Sequence, residues 1–288
     1  MTESVFKNLL IEPTNYCNLS CPICPIGSGE DKRKKGFMAF KNFKKIVDSG
    51  EDFLEFFQFS GYGEPFLSPD MGKMIRYVGE KNFFSGIFTN GVILDKKKME
   101  LFKKNYKCKV TFSIDGISQK SYNYYRRDGN LKKALANLSY LVDLKKKNNL
   151  SNLEVIWQFL VMKTNEHEIE EAVKLAKKIG VNHFKLKAIS IYETHPRYLD
   201  FAPRDKKYRR QKKLSKGCQF IEPGMPFILW NGDVVPCCVS YKKEYVMGNA
   251  FKEDLLNIWN SKKYKKFREE YVKGINFLCN KRCRYGQK

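Results

Sequence analysis

Apolar residues recur in two alternating rhythms over the first 190 positions. Short runs that suit extended backbone are separated by longer stretches with apolar residues three and four apart, the spacing of one helix face. "NLLIEPT" from Asn8 reads as a strand and is followed by a cysteine-bearing loop. Helix "FKNFKKIVDSG", strand "LEFFQFSG" and helix "SPDMGKMIRYVGEKN" come next, the last opened by Ser-Pro. Strand "FSGIFTNG", helix "DKKKMELFKKN" and strand "KCKVTFSIDG" lead into the helix-rich segment from "SQKSYNYYRR" to "LVDLKKKNN". Strand "LEVIWQFLVM", helix "EHEIEEAVKLAKKIG" and strand "NHFKLKAIS" end the series. Six strands alternating with helices predict an α/β fold with a parallel sheet. Six units are too few to close an eight-unit barrel, so the expectation is an open, partial (β/α)6 TIM-like barrel. Its chemistry is expected at the carboxyl ends of the strands.

The rhythm stops at about residue 190. Residues 191–217, polar and with two prolines, read as a linker. Beyond it, "PFILWNGDVVPCC" predicts a β-hairpin turning at Asn-Gly. "KEDLLNIWNSKKYKKFREEYV" predicts a helix, and the tail "FLCNKRCRYGQK" carries two more cysteines. The expected organisation is a core over 1–190, a linker over 191–217 and a small C-terminal domain over 218–288.

Composition narrows the class. The chain has 288 residues, 42% of them hydrophobic, enough for a sizeable core. No apolar run approaches a membrane span, and the opening "MTESVFKNLLIEP" lacks the apolar centre of a signal peptide, so a cytoplasmic protein with no membrane partner is expected. Lys and Arg exceed Asp and Glu by 54 − 31 = 23. Such an excess suits an anionic small substrate, an acidic protein or nucleic acid, and equally a plain lysine-rich solvated surface. The lysines are spread along apparent polar helix faces, and no aromatic-basic motif of an RNA-binding module is present, which disfavours nucleic acid.

The nine cysteines are clustered. Cys17, Cys21 and Cys24 fall within eight residues, five more lie between 218 and 283, and Cys108 stands apart as a small core residue. In a reduced compartment such clusters point to metal rather than disulfides. Three thiolates on one loop can hold three corners of a 4Fe–4S cubane and leave one iron open to an outside ligand. Zinc is the rival, but catalytic zinc usually mixes in histidine. The three histidines, 167, 183 and 195, all lie far from the loop.

With that loop placed after a first strand, the chain resembles the radical S-adenosylmethionine (SAM) superfamily. "SGYGEP" at 60–65 resembles the family's Gly-Gly-Glu-Pro turn, with Tyr62 in place of a glycine. "FTNG" at 88–91 and "FSIDG" at 112–116 stand at the ends of the third and fourth strands, as the family's do. The resemblance implies that the open iron binds the amino and carboxylate groups of SAM. One electron then splits the sulfonium, releasing a 5′-deoxyadenosyl radical that takes a hydrogen atom from a carbon. It also implies roles by position. Gly63 and Glu64 would meet the SAM amino group. Thr89, Asn90, Ser113 and Asp115 would line its ribose and carboxylate side. Arg127 would clamp a carboxylate. The bland readings are that Asp115-Gly116 is a turn and that Ser113 is a core strand residue.

The second cysteine group, Cys218, Cys237, Cys279 and Cys283, could ligate a second 4Fe–4S cluster, with a four-cysteine zinc as the rival. Beside a radical SAM core it resembles the shortened SPASM annex called Twitch, which carries one auxiliary cluster. The implied cofactors are therefore SAM and two 4Fe–4S clusters. Cys238 is left over. In extended backbone it faces away from Cys237, and a thiol there could return a hydrogen atom to a substrate radical; the alternative is an inert buried thiol.

Three reactions follow from the resemblance. Hydrogen return from Cys238 gives an epimer of a carbohydrate-like substrate, and Cys238 tips the balance that way. Electron transfer to the auxiliary cluster gives a ketone, as in Twitch-type alcohol dehydrogenases. Peptide modification is the third. The positive charge suits a phosphorylated or nucleotide-linked sugar and an acidic flavodoxin or ferredoxin as electron donor.

Overall fold

The strands pair as the alternation predicts, and then continue past the expected domain boundary. The computed structural model describes residues 5–189, 197–209 and 218–282. Strands β1 (Asn8–Ile11), β2 (Phe56–Phe59), β3 (Phe84–Thr89), β4 (Cys108–Ser113), β5 (Leu153–Val161) and β6 (His183–Ala188) lie side by side in chain order, each parallel to the next. The result is an α/β fold with a partial TIM-like barrel and a C-terminal domain.

Helices α1 (Phe40–Ser49), α2 (Met71–Glu80), α3 (Lys96–Met99), α4 (Gln119–Tyr125), α5 (Leu131–Lys147) and α6 (Ile169–Ile179) make the connections. Each long helix buries one stripe: Phe43, Ile46 and Val47 on α1, and Met71, Met74, Ile75 and Val78 on α2. Asn130 caps α5 by accepting from the Lys133 N–H, and Gly180 ends α6 in the left-handed region at φ 84°. Helix α3 is a single turn, shorter than "DKKKMELFKKN" suggests. Met99 and Phe102 are the only fully buried residues of that stretch, and its lysines contribute no apolar face.

The C-terminal strands extend the same sheet. β7 (Phe227–Ile228) runs parallel to β1, pairing Leu10 with Phe227 and Ile11 with Ile228. The predicted hairpin forms with β8 (Asp233–Val235), turning through Gly232 at φ 87°, and β9 (Gly248–Asn249) completes the order β6-β5-β4-β3-β2-β1-β7-β8-β9. One hydrophobic core crosses the junction. Trp259 packs edge-on against Phe6 at 5.3 Å and against Tyr264 at 4.7 Å, so helices α8 (Leu255–Asn260) and α9 (Lys262–Val272) close over the start of the barrel.

Part of the expected linker is structured. A short helix, α7 before α8 in the chain (Tyr198–Phe201), buries Phe201 against Tyr125 at 5.8 Å. The chain closes with α10 (Phe277–Arg282). No helix among the described residues is long and apolar enough to cross a membrane.

Candidate SAM and iron–sulfur site

Strand ends converge on one cavity of about 240 Å³ at the carboxyl side of the sheet. The loop after β1 contributes Cys17, Leu19, Cys21 and Cys24. The turn after β2 contributes Ser60 to Glu64, β3 ends there with Thr89 and Asn90, and β4 ends with Ser113. All three amino-terminal cysteines, with Gly63, Glu64, Thr89, Asn90 and Ser113, are thus brought together.

The turn that carries Glu64 is built by close backbone approach. A Cβ on Gly63 would stand 2.2 Å from the carbonyl oxygen of Thr14, so only glycine fits, and the Glu64 N–H donates to the Tyr16 carbonyl at 2.8 Å. The Glu64 carboxylate is buried and accepts three hydrogen bonds: from Thr89 Oγ1 at 2.8 Å, from the Asn90 N–H at 2.8 Å and from the Phe66 N–H at 3.3 Å. Burial pushes its pKa up to about 7 in spite of those donors. Asn90 in turn donates through Nδ2 to Asn18 Oδ1 at 2.9 Å, joining the cysteine loop to the end of β3.

Two expectations shift by one step. Asp115 is fully buried and does not line the cavity. Its carboxylate accepts from Arg126 Nε at 2.6 Å and from the Leu160 N–H at 2.8 Å. It therefore acts on the site through Arg126, which does line the cavity, over the ring of Tyr125. Arg127 is exposed and does not line the cavity; the arginine of the site is its neighbour. The adjacent pair "RR" offered both, and a carboxylate buried at the end of β4 demanded a cationic partner close in sequence.

Sequence reasoning also missed how the lysine-rich stretch after the cysteines is held. Arg33 reaches inward and pairs with two buried carboxylates, Glu12 at 2.8 and 2.9 Å and Asp31 at 2.7 Å. Its guanidinium lies over the rings of Tyr62 and Tyr241, 5.7 and 5.8 Å from their centroids. Tyr62, the residue in place of a family glycine, lines the cavity, packs edge-on against Tyr241 at 4.8 Å and donates its hydroxyl to the backbone carbonyl of Cys238. The cysteine loop, the Glu64 turn and the C-terminal domain therefore share one network.

Comparison with known proteins now decides the class. A family model of the radical SAM superfamily matches residues 11–176, more than half of the chain. The chain belongs to the radical SAM superfamily. A second model, for the SPASM iron–sulfur cluster-binding domain, matches residues 218–284. The tungsten-containing aldehyde ferredoxin oxidoreductase cofactor-modifying protein of Pyrococcus furiosus is 26% identical, over 91% of this chain and 83% of its own. The subtilosin biosynthesis protein AlbA of Bacillus subtilis is 23% identical over 87% of this chain, but only 58% of its own length is spanned. Among solved structures, Streptococcus suis SuiB bound to S-adenosylmethionine aligns with a TM-score of 0.73 at 17% identity, covering 98% of this chain and 72% of that one. BtrN with AdoMet and 2-DOIA aligns with a TM-score of 0.59 at 16% identity, covering 93% and 88%.

SAM and 4Fe–4S clusters are thus the cofactors, and the residues fit them. Cys17, Cys21 and Cys24 all face the one cavity, and burial pushes the thiols of Cys17 and Cys21 up to about 12 and 11. Without cations these sulfurs stay protonated; bound iron would take them as thiolates. Among the described residues no three His, Cys, Asp or Glu side chains converge closely enough to grip a single ion. In the C-terminal domain Cys218, Cys237 and Cys279 are buried, with Cys237 and Cys279 close enough to raise each other's cost of ionisation. Cys283 lies outside the described residues. Cys238 is exposed on a turn and does not line the SAM cavity.

Proposed function

We propose that the chain uses the 5′-deoxyadenosyl radical to take a hydrogen atom from a substrate carbon and that the Cys238 thiol returns one, epimerising that carbon. Cys17, Cys21 and Cys24 would hold the cluster, which when bound would supply the electron that splits SAM. The protein's own work is positional. Glu64 is set to accept from the SAM amino group, Ser113 and Asn90 to border its ribose side, and Arg126 to meet its carboxylate. Leu19, Cys21, Tyr125, Met162, Ile189 and Phe201 form an apolar cluster that excludes water from the radical.

The observation that carries the reading is the tie between Tyr62 and Cys238. Tyr62 belongs to the cavity wall, and its hydroxyl holds the Cys238 backbone, which supports a role for the exposed Cys238 thiol while Cys237 beside it is buried. Such a thiol can give a hydrogen atom to a carbon radical, and the thiyl radical left behind would return to the thiol by taking one electron, from the annex cluster or an external one-electron donor, and one proton from solvent. In deuterated solvent the product should carry one deuterium at the epimerised carbon. Cys238→Ala should abolish epimer while 5′-deoxyadenosine still appears. Unlabelled product, or epimer from the variant, would overturn it. The substrate we infer is an anionic, carbohydrate-like molecule, attracted by the excess of basic residues.

A second reading, peptide modification, is supported by the names of the relatives, which include AlbA and a PqqA peptide cyclase of Gluconobacter oxydans 27% identical over 64% of this chain. Here the annex cluster would accept the substrate radical's electron. Product that forms without solvent deuterium, from a peptide and not from a sugar phosphate, selects it.

A further inference from the structure

Radical formation requires one electron from outside the chain, and the structure offers an entry for it. In "EDKRKKG" at 30–36 the charges are sorted by direction. Asp31 and Arg33 turn inward and satisfy each other and Glu12, whereas Lys32 and Lys34 between them are exposed. Lys35 is half-buried, its Nζ donating to the Asn15 carbonyl at 2.7 Å, and Lys41 is exposed at the start of α1. Beside this run stands an aromatic pair, since Asn15, which precedes Tyr16, bonds Lys34, Lys35 and Gly36. Tyr16 and Phe37 stack at 4.8 Å with 23° between their planes, and they are 40% and 41% exposed although both belong to a well-braced part of the fold. Phe37 bridges to Thr14, Thr14 Oγ1 donates to the Gly36 carbonyl at 2.7 Å, and the Tyr16 carbonyl holds the Glu64 turn. Tyr16 directly precedes Cys17.

We propose that this face, Tyr16 and Phe37 with Lys32, Lys34, Lys35 and Lys41, is the docking surface for an acidic one-electron carrier protein of flavodoxin or ferredoxin type. A stacked pair supplies an apolar centre of rigid rings, and the lysines supply steering and register against a carboxylate-rich partner. The partner's chemistry is argued from charge: Glu30 is the only acidic side chain of 30–36 left facing solvent. The redox step is a transfer of one electron. The carrier is oxidised by one electron, and that electron breaks one sulfonium C–S bond of SAM to give methionine and the 5′-deoxyadenosyl radical. The inference rests on superfamily membership and not on the fate of the substrate radical.

The alternative surface is on the annex, where Val272, Ile275 and Phe277 are 62%, 61% and 66% exposed. The two are separated by charge reversal. In reconstituted protein, Lys32→Glu/Lys34→Glu should weaken binding of a reduced acidic ferredoxin at least about tenfold and remove most of its salt dependence. Ferredoxin-driven SAM cleavage should fall with it, while dithionite-driven cleavage stays at the wild-type rate. Ile275→Ser/Phe277→Ser should change neither. Unaltered ferredoxin binding in the lysine variant, or its loss in the annex variant alone, would overturn the proposal. If the proposed epimerisation fails but these outcomes hold, the docking surface stands.

Discussion

The hydroxyl of Tyr62 donates to the main-chain carbonyl of Cys238, 176 residues away, and so joins the turn that ends in Glu64 to the turn that follows Cys237. A glycine at position 62 could not make that bridge. Tyr62→Phe keeps the ring against Tyr241 and beneath Arg33 but removes the donor. The expected loss of stability is about 1 kcal/mol, the usual worth of one such bond. The informative effect is on coupling. 5′-Deoxyadenosine should form at close to the wild-type rate, with less epimer per nucleoside because the Cys238 turn is no longer fixed. Chromatographic quantification of both products checks this, and an unchanged ratio would remove Tyr62 from any positioning role.

Arg33 is bound by two carboxylates that are themselves fully buried, so its removal is costlier than loss of an ordinary surface ion pair. Arg33→Met would leave Glu12 and Asp31 facing each other without a cation. Breaking a buried pair in this way costs about 3–5 kcal/mol. Adding Glu12→Gln and Asp31→Asn to the same variant should recover much of that loss, since no uncompensated charge then remains. Denaturant titration of the three-fold and single variants gives the comparison. A single variant as stable as the parent would mean that the network carries little.

Glu64 is held neutral more readily than an exposed carboxylate, because burial outweighs its three donors and Arg126. The sign follows from linkage. Its folded pKa, about 7, exceeds the ordinary 4.5, so ionising it works against the ligand-free fold. That contribution to stability is greatest below the ordinary value, is lost as pH rises through the window up to about 7, and is constant above it. SAM binding has the opposite dependence, because only the carboxylate attracts an ammonium group. SAM affinity should therefore fall as pH drops below about 7, approaching about tenfold per pH unit. In Glu64→Gln affinity should be weaker and flat over the same range. Equilibrium dialysis of SAM between pH 6 and 8 measures both.

Much of this site is legible in sequence because its pieces are local. Three cysteines on one loop, "YGEP" after a strand and "TNG" at the next strand end can each be read without knowing what lies opposite. The alternation of helix and strand is likewise a short-range pattern. Contacts between distant segments are not readable in this way. Pairing of β7 with β1 joins residues more than 200 positions apart, so the C-terminal domain read as separate although it extends the same sheet. The inward turn of Arg33 is one such contact: its partner Glu12 precedes the cysteines, and nothing in the run "DKRKKG" marks the third residue as inward. The choice between Arg126 and Arg127 depends on where α4 stops. Arg126 is the residue just past the last turn of that helix, and a difference of one position decides which guanidinium reaches Asp115.

That last distinction can be tested directly. Arg126→Ala leaves Asp115 buried and unpaired beside the SAM cavity, and should cost about 3–5 kcal/mol together with most SAM binding. Arg127→Ala changes an exposed side chain, and should stay within about 0.5 kcal/mol of the parent with SAM affinity intact. Thermal unfolding with and without SAM distinguishes the two. Equal effects would return Arg127 to the site.

Gly63 and Gly29 make a paired test of the Glu64 turn. A methyl group on Gly63 would lie 2.2 Å from the Thr14 carbonyl oxygen and 2.7 Å from that of Tyr16, both backbone atoms that cannot swing aside. Gly63→Ala must therefore push the turn outward, stretching the bond from the Glu64 N–H to Tyr16 and moving the carboxylate away from Thr89 and Asn90. Overpacking of this kind costs about 1–3 kcal/mol, and here the displacement falls on the SAM amino site. Gly29 has φ +74° but nothing within 4 Å of an added Cβ, so Gly29→Ala bears only the backbone penalty of about 1–2 kcal/mol for the left-handed region. Both variants should unfold at lower temperature, but only Gly63→Ala should lose SAM affinity by more than about tenfold. If the two lose affinity alike, the close approach at Gly63 is not what sets the position of Glu64.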